Sequence, residues 1–391
     1  TGAIGATEEL GGLNVNASSG NGVITFTSTI GDSDNAGVIG TTSIGNAATS
    51  DLNFNSTIYK FDGATTITAA AGDTIDMGAA AATTFTTAGD NITFATGNIE
   101  LANKTNLTVD TGATGGNITI GEIAGTSVET VTLDAGTGTT SVGVIGSGTE
   151  IGALSIGSAE NGGITLNGAI TTDGVVTLDG PITLATGAIT IATSDNAINL
   201  QGTVDGGQAL TLSSGSAAVT VDGAIGSSTA LTSLTVNSSG AGTIEITDIG
   251  TSSAAGVSGA TAIGNTSTGT LTLDGTVYTT TGSQTYTAAT GGGNIDITNT
   301  AGTTFTTTDT AVAFNTSGVD LANNSTTTID TGTGAGDVTF QGAIETNGSD
   351  NDILTVTSGT GTVTFTGAIG ATEELGGLNV NASSGNGVIT F

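Results

Sequence analysis

The chain has no cysteine, histidine, tryptophan or arginine among its 391 residues, and it has a single proline. Without imidazole and thiol groups, the usual nucleophile–base pairs of hydrolases cannot be built. Without cysteine, disulfides cannot hold the fold together. Aromatic residues make up 3% of the chain, so the core must consist of Ile, Val, Leu and Ala in many thin layers.

Positive charge is almost absent. Lys60 and Lys104 face 34 acidic residues, and the formal net charge is −32. This excess argues against binding to nucleic acids, whose phosphates require Lys and Arg, and against docking on anionic membranes. No run of about 18 apolar residues predicts insertion into a membrane. Because trypsin-like proteases would find almost no cleavage site, the composition suits an extracellular or cell-surface protein.

One short pattern is abundant: a turn residue followed by apolar–Thr–apolar. Examples are GVITF (22–26), GNITI (116–120), GGITL (162–166), GVVTL (174–178), GTLTL (269–273) and GTVTF (361–365). Alternation of period two is typical of half-buried strands. Gly, Asn, Asp and Ser between these segments supply the backbone conformations that corners need. No segment keeps a helical period, so the pattern predicts an all-β fold.

The spacing of these segments suggests coils of about 20–25 residues with short strands on two or three sides. Such coils predict a parallel β-solenoid stacked into an elongated rod, with about 15–18 coils in one period. A string of immunoglobulin-like sandwiches is the alternative, since these also have short strands at regular spacing. The lack of tryptophan and the short repeat favour the solenoid.

A long repeat overlies the coils. Residues 1–26 are identical to residues 366–391, which sets a period of 365 residues. We therefore interpret 1–391 as one continuous solenoid segment, made of one tandem unit and a 26-residue overlap. Weaker internal similarity predicts three modules, at about 13–153, 154–233 and 234–377.

Two segments carry a family resemblance: LNVNASSGNGVI (13–24) and TVYTTTGSQTY (276–286). They resemble the repeats of giant filamentous-haemagglutinin-like secreted proteins. The resemblance implies a right-handed parallel β-helix, export across an outer membrane, and a role as an adhesin or an extracellular matrix fibre.

The sequence offers no catalytic residues and requires no cofactor. The weak candidates for a metal site are Asp32 and Asp34 in DSDN (32–35), and Asp350 and Asp352 in SDND (349–352). Paired carboxylates in loops are typical Ca²⁺ ligands, although the full EF-hand pattern is missing. The alternative is that these residues are solvated turn aspartates.

We expect a structural protein, not an enzyme, that forms an extracellular fibre. Its partners would be copies of itself, end to end in a tandem array and also side by side. One alternative is an adhesin that binds surface glycans or a partner cell through the insert loops 31–53 and 247–268. Less favoured are a carbohydrate-active β-helix and an ice-binding protein. Thr-x-Thr pairs such as those in TFTST (25–29) suggest ice binding, but the pairs do not recur at one coil position.

Overall fold

The computed structural model describes residues 2–18, 20–102, 104–157, 162–316, 318–348, 351–382 and 387–391. These residues form 41 strands and no helix. Accordingly, no helix in this part of the chain could span a membrane. The chain divides into two compact units, Thr1–Thr186 and Gly187–Phe391. Both are parallel β-solenoids, and together they contain about 15 turns.

The first unit contains strands β1 to β19. They are β1 (Leu13–Val15), β2 (Gly22–Phe26), β3 (Thr42–Ile44), β4 (Thr49–Phe54), β5 (Ile58–Lys60), β6 (Thr65–Thr68), β7 (Thr74–Met77), β8 (Ala82–Thr86), β9 (Ile92–Thr96), β10 (Asn98–Leu101), β11 (Asn106–Asp110), β12 (Ile118–Ala124), β13 (Thr130–Asp134), β14 (Thr139–Ile145), β15 (Ala153–Ile156), β16 (Gly163–Leu166), β17 (Ile170–Thr172), β18 (Val176–Leu178) and β19 (Ile182–Leu184).

Three stacks of parallel strands enclose the core of this unit. The first face consists of β1, β3, β6, β9, the start of β12 and of β14, β16 and β19. The second consists of β2, β4, β7, β10, the ends of β12 and β14, and β17. The third consists of β5, β8, β11, β13, β15 and β18. Each strand pairs with the equivalent strand one turn away, which is the defining contact of a solenoid.

The second unit contains strands β20 to β41. They are β20 (Ile189–Thr193), β21 (Ile198–Leu200), β22 (Val204–Asp205), β23 (Ala209–Ser213), β24 (Val219–Val221), β25 (Ser233–Asn237), β26 (Ile244–Ile246), β27 (Thr261–Ile263), β28 (Thr270–Leu273), β29 (Val277–Thr279), β30 (Gln284–Thr287), β31 (Asn294–Ile297), β32 (Thr303–Thr306), β33 (Val312–Asn315), β34 (Gly318–Leu321), β35 (Thr326–Asp330), β36 (Val338–Phe340), β37 (Ala343–Thr346), β38 (Ile353–Thr357), β39 (Thr362–Phe365), β40 (Gly377–Asn381) and β41 (Val388–Thr390).

This unit also has three parallel stacks. One joins β20, β23, β25, β27, β30, β33, β36, β39 and β41. A second joins β21, β24, β26, β28, β31, β34 and β37. The third joins β29, β32, β35, β38 and β40. The predicted parallel β-solenoid is thus confirmed, whereas right-handed coiling remains a prediction.

The core follows directly from the alternation in the sequence. In β11, Leu107 and Val109 are fully buried while Thr108 between them faces outward. Successive turns place Leu107 on Val131 and Val109 on Leu133. Columns of aliphatic side chains therefore run through each unit, and each fully buried side chain contributes about 1.5–3 kcal/mol relative to exposure.

Turn length varies more than the sequence predicted. Leu13 pairs with Thr42 of the following turn, whereas Ile164 pairs with Ile182 of the following turn. The first of these turns is therefore much longer than the second. The paired residues within β1 and β3, and within β16 and β19, follow one another without a register shift, so the difference in length lies outside these strands. The predicted coil length describes the typical turn but misses both extremes.

The internal similarity of the sequence has a structural counterpart. In the first unit, Ile30 bridges to Tyr59, and in the second unit Ile249 bridges to Tyr278. The hydroxyl groups of both tyrosines face a strand-end carbonyl, of Phe26 and Ile246 respectively. The same local arrangement therefore occurs in both units. The module boundaries at 13–153, 154–233 and 234–377 remain a prediction.

Candidate functional site

The first candidate metal residues lie in a self-contained turn. The Asp32 carboxylate accepts hydrogen bonds from the backbone N–H groups of Asp34 (2.9 Å) and Asn35 (2.8 Å) on one oxygen. These two bonds hold the pKa of Asp32 below its ordinary value, and the bond from the Asn35 N–H has the larger effect. Lys60 donates to the carbonyl oxygen of Ser33 at 3.1 Å. Asp32 thus forms an Asx turn with its own backbone, a sufficient structural reason for an aspartate here.

The second pair of candidates is only partly described. Asp350 lies outside the described residues, whereas Asp352 is fully buried. One carboxylate oxygen of Asp352 accepts a hydrogen bond from the backbone N–H of Ser325 at 3.3 Å, one turn earlier. The other has no partner within the described ranges. Asp352 therefore bonds the turn beneath its own and does not point into solvent.

Sequence reasoning missed a more completely bonded carboxylate, Glu129. It is buried and accepts hydrogen bonds from the backbone N–H of Lys104 (3.1 Å) and from both the N–H (2.6 Å) and the hydroxyl of Thr126. Burial acts to raise the pKa of the Glu129 carboxyl, but the hydrogen bonds from Thr126 and Lys104 together outweigh it, so the pKa lies below its ordinary value.

Glu129 and Asp352 have two features in common. Glu129 and Asp352 each come directly before a strand and bond a backbone N–H of the preceding turn. Both follow a hydroxyl residue by three positions, in TSVE (126–129) and SDND (349–352). At Glu129 this spacing lets the side chain bond the N–H and hydroxyl of Thr126. Within the described residues, Asp352 shares with Glu129 only its place before a strand and its bond to the preceding turn.

A short row of carboxylates lies on one stack of the second unit. Asp296, Asp320 and Glu345 occupy equivalent positions on β31, β34 and β37. The side-chain amide of Asn294 donates to both Asp296 (2.5 Å) and Asp320 (2.6 Å). Burial, and then the charge of Asp320, raises the pKa of Asp296. No group of three acidic side chains in the described ranges has the geometry to hold a metal ion.

The first face of the first unit carries no charged side chain in its central outward column. That column runs through eight successive strands: Asn14, Ser43, Thr66, Thr93, Thr119, Ser141, Thr165 and Thr183. The neighbouring second face carries Asp51, Asp76, Glu100 and Glu122. Seven of these eight residues carry a hydroxyl group, so single hydroxyl residues do recur at one position of the coil. The expectation that Thr-x-Thr pairs do not recur is wrong in one place: Thr304/Thr306 of β32 and Thr355/Thr357 of β38 lie at equivalent positions.

A shallow concavity of about 560 Å³ lies over this face. It is lined by Gly12, Leu13, Asn14, Thr41, Thr42, Ser43, Ala64 and Thr66. These residues supply hydroxyl, amide and backbone groups and no carboxylate. The lining lacks the carboxylate pair with which glycoside hydrolases cleave their substrates.

No protein-family model, curated protein or solved structure matches this chain. The resemblance to filamentous-haemagglutinin-like proteins is supported at the level of a β-helical solenoid and no further.

Proposed function

We propose that the protein is a structural component of an extracellular filament, assembled from consecutive 365-residue β-solenoid units. The observation that carries the proposal is that strands pair with their equivalents one turn away, as in the series β8, β11, β13 and β15. In such an architecture each turn contacts only its neighbours, so length can be added without changing the fold.

The distribution of bonds suits a load-bearing role. The backbone hydrogen bonds between strands run along the solenoid axis, and continuous columns such as Leu107, Val131 and Leu154 lie inside them. Pulling along the axis would have to break all the hydrogen bonds and apolar contacts of a turn together. The protein would need no catalytic residue and no cofactor for this role, and its partners would be copies of itself. Secretion to the cell surface belongs to the same proposal.

Electron cryo-microscopy of the native protein tests this function. We expect a continuous filament with axial layers about 4.8 Å apart and a longer repeat of one 365-residue unit. Separate globular beads joined by flexible linkers would contradict the proposal, as would isolated particles that never form a filament.

An adhesive role is a second candidate, favoured by one exposed apolar pair. Leu10 and Ile39 are 38% and 48% exposed, and the backbone N–H of Ile39 donates to the carbonyl oxygen of Leu10 at 2.9 Å. Ile39 belongs to the predicted insert loop 31–53, whose second half forms β3 and the start of β4 instead of a loop, so that Ile39 lies in the irregular part before β3. Contiguous exposed apolar surface is typical of a contact surface. Adhesion of cells to the coated protein, compared between the natural chain and Ile39→Ser, tests this alternative; equal adhesion by both would remove the pair as its site.

A further inference from the structure

The identical segments 1–26 and 366–391 show one turn of the solenoid from its two sides. In the first copy, inward residues pair with the turn that follows: Ile4 with Ile30, Leu13 with Thr42, and Ile24 with Leu52. In the second copy, the same three residues pair with the turn that precedes: Ile369 with Ile344, Leu378 with Leu354, and Ile389 with Val363. The two sets of partners lie on opposite sides of the turn and do not compete.

Each copy of the segment lacks the neighbouring turn that covers the other copy. Phe26 is 8% exposed because Phe54 and Tyr59 cover it. Phe391, the same residue of the repeat, stacks on no ring other than Phe365 among the described residues and is 78% exposed. Ile389 points inward by its pairing yet is 41% exposed. The side of this turn that segment 366–391 leaves open is the side that segment 1–26 covers.

Aromatic residues concentrate next to this turn. In the second unit, the rings of Phe314, Phe340, Phe365 and Phe391 are stacked at centroid distances of 4.8, 5.4 and 5.3 Å. In the first unit, Phe26 stacks on Phe54 at 5.4 Å with the ring planes 5° apart. Because Phe391 and Phe26 are the same residue of the repeat, the two stacks are halves of one column. The stretch 95–277 contains no aromatic residue at all.

The geometry points to residues 366–391 as the joint at which a second copy of the unit continues the solenoid. In an array, this segment serves as residues 1–26 of the next unit. Leu52 and Phe54 of that unit then cover Ile389 and Phe391 in the register seen for Ile24 and Phe26. Units are joined without a linker, at the centre of the aromatic core. This inference rests on the proposed function and specifies the contact between its units.

Thiol reactivity in a chain with no cysteine tests the joint. The change Ile389→Cys is made in the 391-residue protein and in a two-unit chain, residues 1–365 followed by 1–391, where position 389 of the first unit's overlap lies inside the array. We expect the thiol to react at least about 100-fold more slowly in the two-unit chain, because buried groups react only through local opening. The outward-facing control Thr390→Cys reacts rapidly in both chains. A third variant, Leu354→Cys, is protected in both and reports that each chain is folded.

Equal reactivity of the Ile389→Cys thiol in the two chains, with the Leu354→Cys thiol protected, would overturn the joint. It would mean that units meet through an open turn. The result is independent of the proposed function. Protection at position 389 in a native protein that forms no filament would retain the joint and contradict the fibre. Filaments without protection at position 389 would retain the fibre and contradict the joint.

Discussion

A methyl group on Gly143 would lie 1.8 Å from the carbonyl oxygen of Gly121, one turn away. The two glycines lie within β14 and β12, just beyond their segments on the first face. Gly121 itself has nothing within 4 Å of where its methyl group would be. Two adjacent glycines of one column therefore differ in whether the stacked backbone leaves room for a side chain.

We predict that Gly143→Ala lowers the free energy of unfolding by about 1–3 kcal/mol, the usual cost of overpacking, while Gly121→Ala changes it little. Urea unfolding followed by far-ultraviolet circular dichroism measures both. Equal stability of the two variants would show that the turns can separate to accept a methyl group.

Replacing a buried hydroxyl with a methyl group should stabilise the first unit. Thr140 is fully buried between Ile118 and Ile164, and its hydroxyl has no hydrogen-bond partner among the described residues. Because an unsatisfied buried polar group costs about 1–3 kcal/mol, we expect Thr140→Val to raise the free energy of unfolding by about 1 kcal/mol. The control Thr119→Val removes an exposed hydroxyl from the adjacent strand and should have almost no effect. A loss of stability in Thr140→Val would contradict this account.

The two matching tyrosines should respond unequally to loss of their hydroxyl groups. The Tyr278 hydroxyl donates to the carbonyl oxygen of Ile246 and accepts from the N–H of Gly275, both at 2.9 Å. The Tyr59 hydroxyl accepts from the N–H of Ser56 at 3.0 Å, but its bond to the carbonyl oxygen of Phe26 is longer, at 3.5 Å. We therefore expect Tyr278→Phe to cost about 1–3 kcal/mol and Tyr59→Phe to cost less. Calorimetric unfolding of the two variants makes the comparison, and a larger loss at Tyr59 would refute it.

Alkaline pH should destabilise the protein through its tyrosines. Burial raises the pKa of Tyr59 from 10.0 to about 12, and it raises those of Tyr278 and Tyr286 as well. Because the unfolded chain releases these protons at lower pH than the folded chain, stability is fully present below the unfolded pKa of 10.0 and is lost as pH rises towards the folded value. Urea midpoints measured across this range should fall, and the fall should be shallower in Tyr59→Phe.

Glu129 should contribute stability that disappears in acid. Its pKa is lowered in the folded state, so its contribution is present above the ordinary value of 4.5 and is lost as pH falls below it. We expect Glu129→Gln to cost about 1–3 kcal/mol at neutral pH, since an amide cannot accept all the bonds from Thr126 and Lys104. The difference from the natural chain should shrink at lower pH. Glu122→Gln, which replaces an outward carboxylate of β12, is the control; a comparable loss there would point to net charge as the cause.

Much of the fold was predictable because the pattern that produces it is local. Alternation in segments such as GNITI (116–120) predicts which side chains are buried, and the structure confirms it in β12. The corner loops were not predictable in the same way. Their length does not alter strand pairing. The average spacing therefore predicts neither the long turn from Leu13 to Thr42 nor the short turn from Ile164 to Ile182.

The sequence by itself determined the class of the fold, through period-two alternation, and the 365-residue period, through identity of segments 1–26 and 366–391. Tertiary structure alone decided which carboxylates are bonded inside the turns. Asp32, Asp352 and Glu129 have similar chemistry, yet the partners of Asp352 and Glu129 include backbone donors that belong to the preceding turn. Stacking brings such donors within hydrogen-bond distance, and short sequence patterns do not record contacts at that separation.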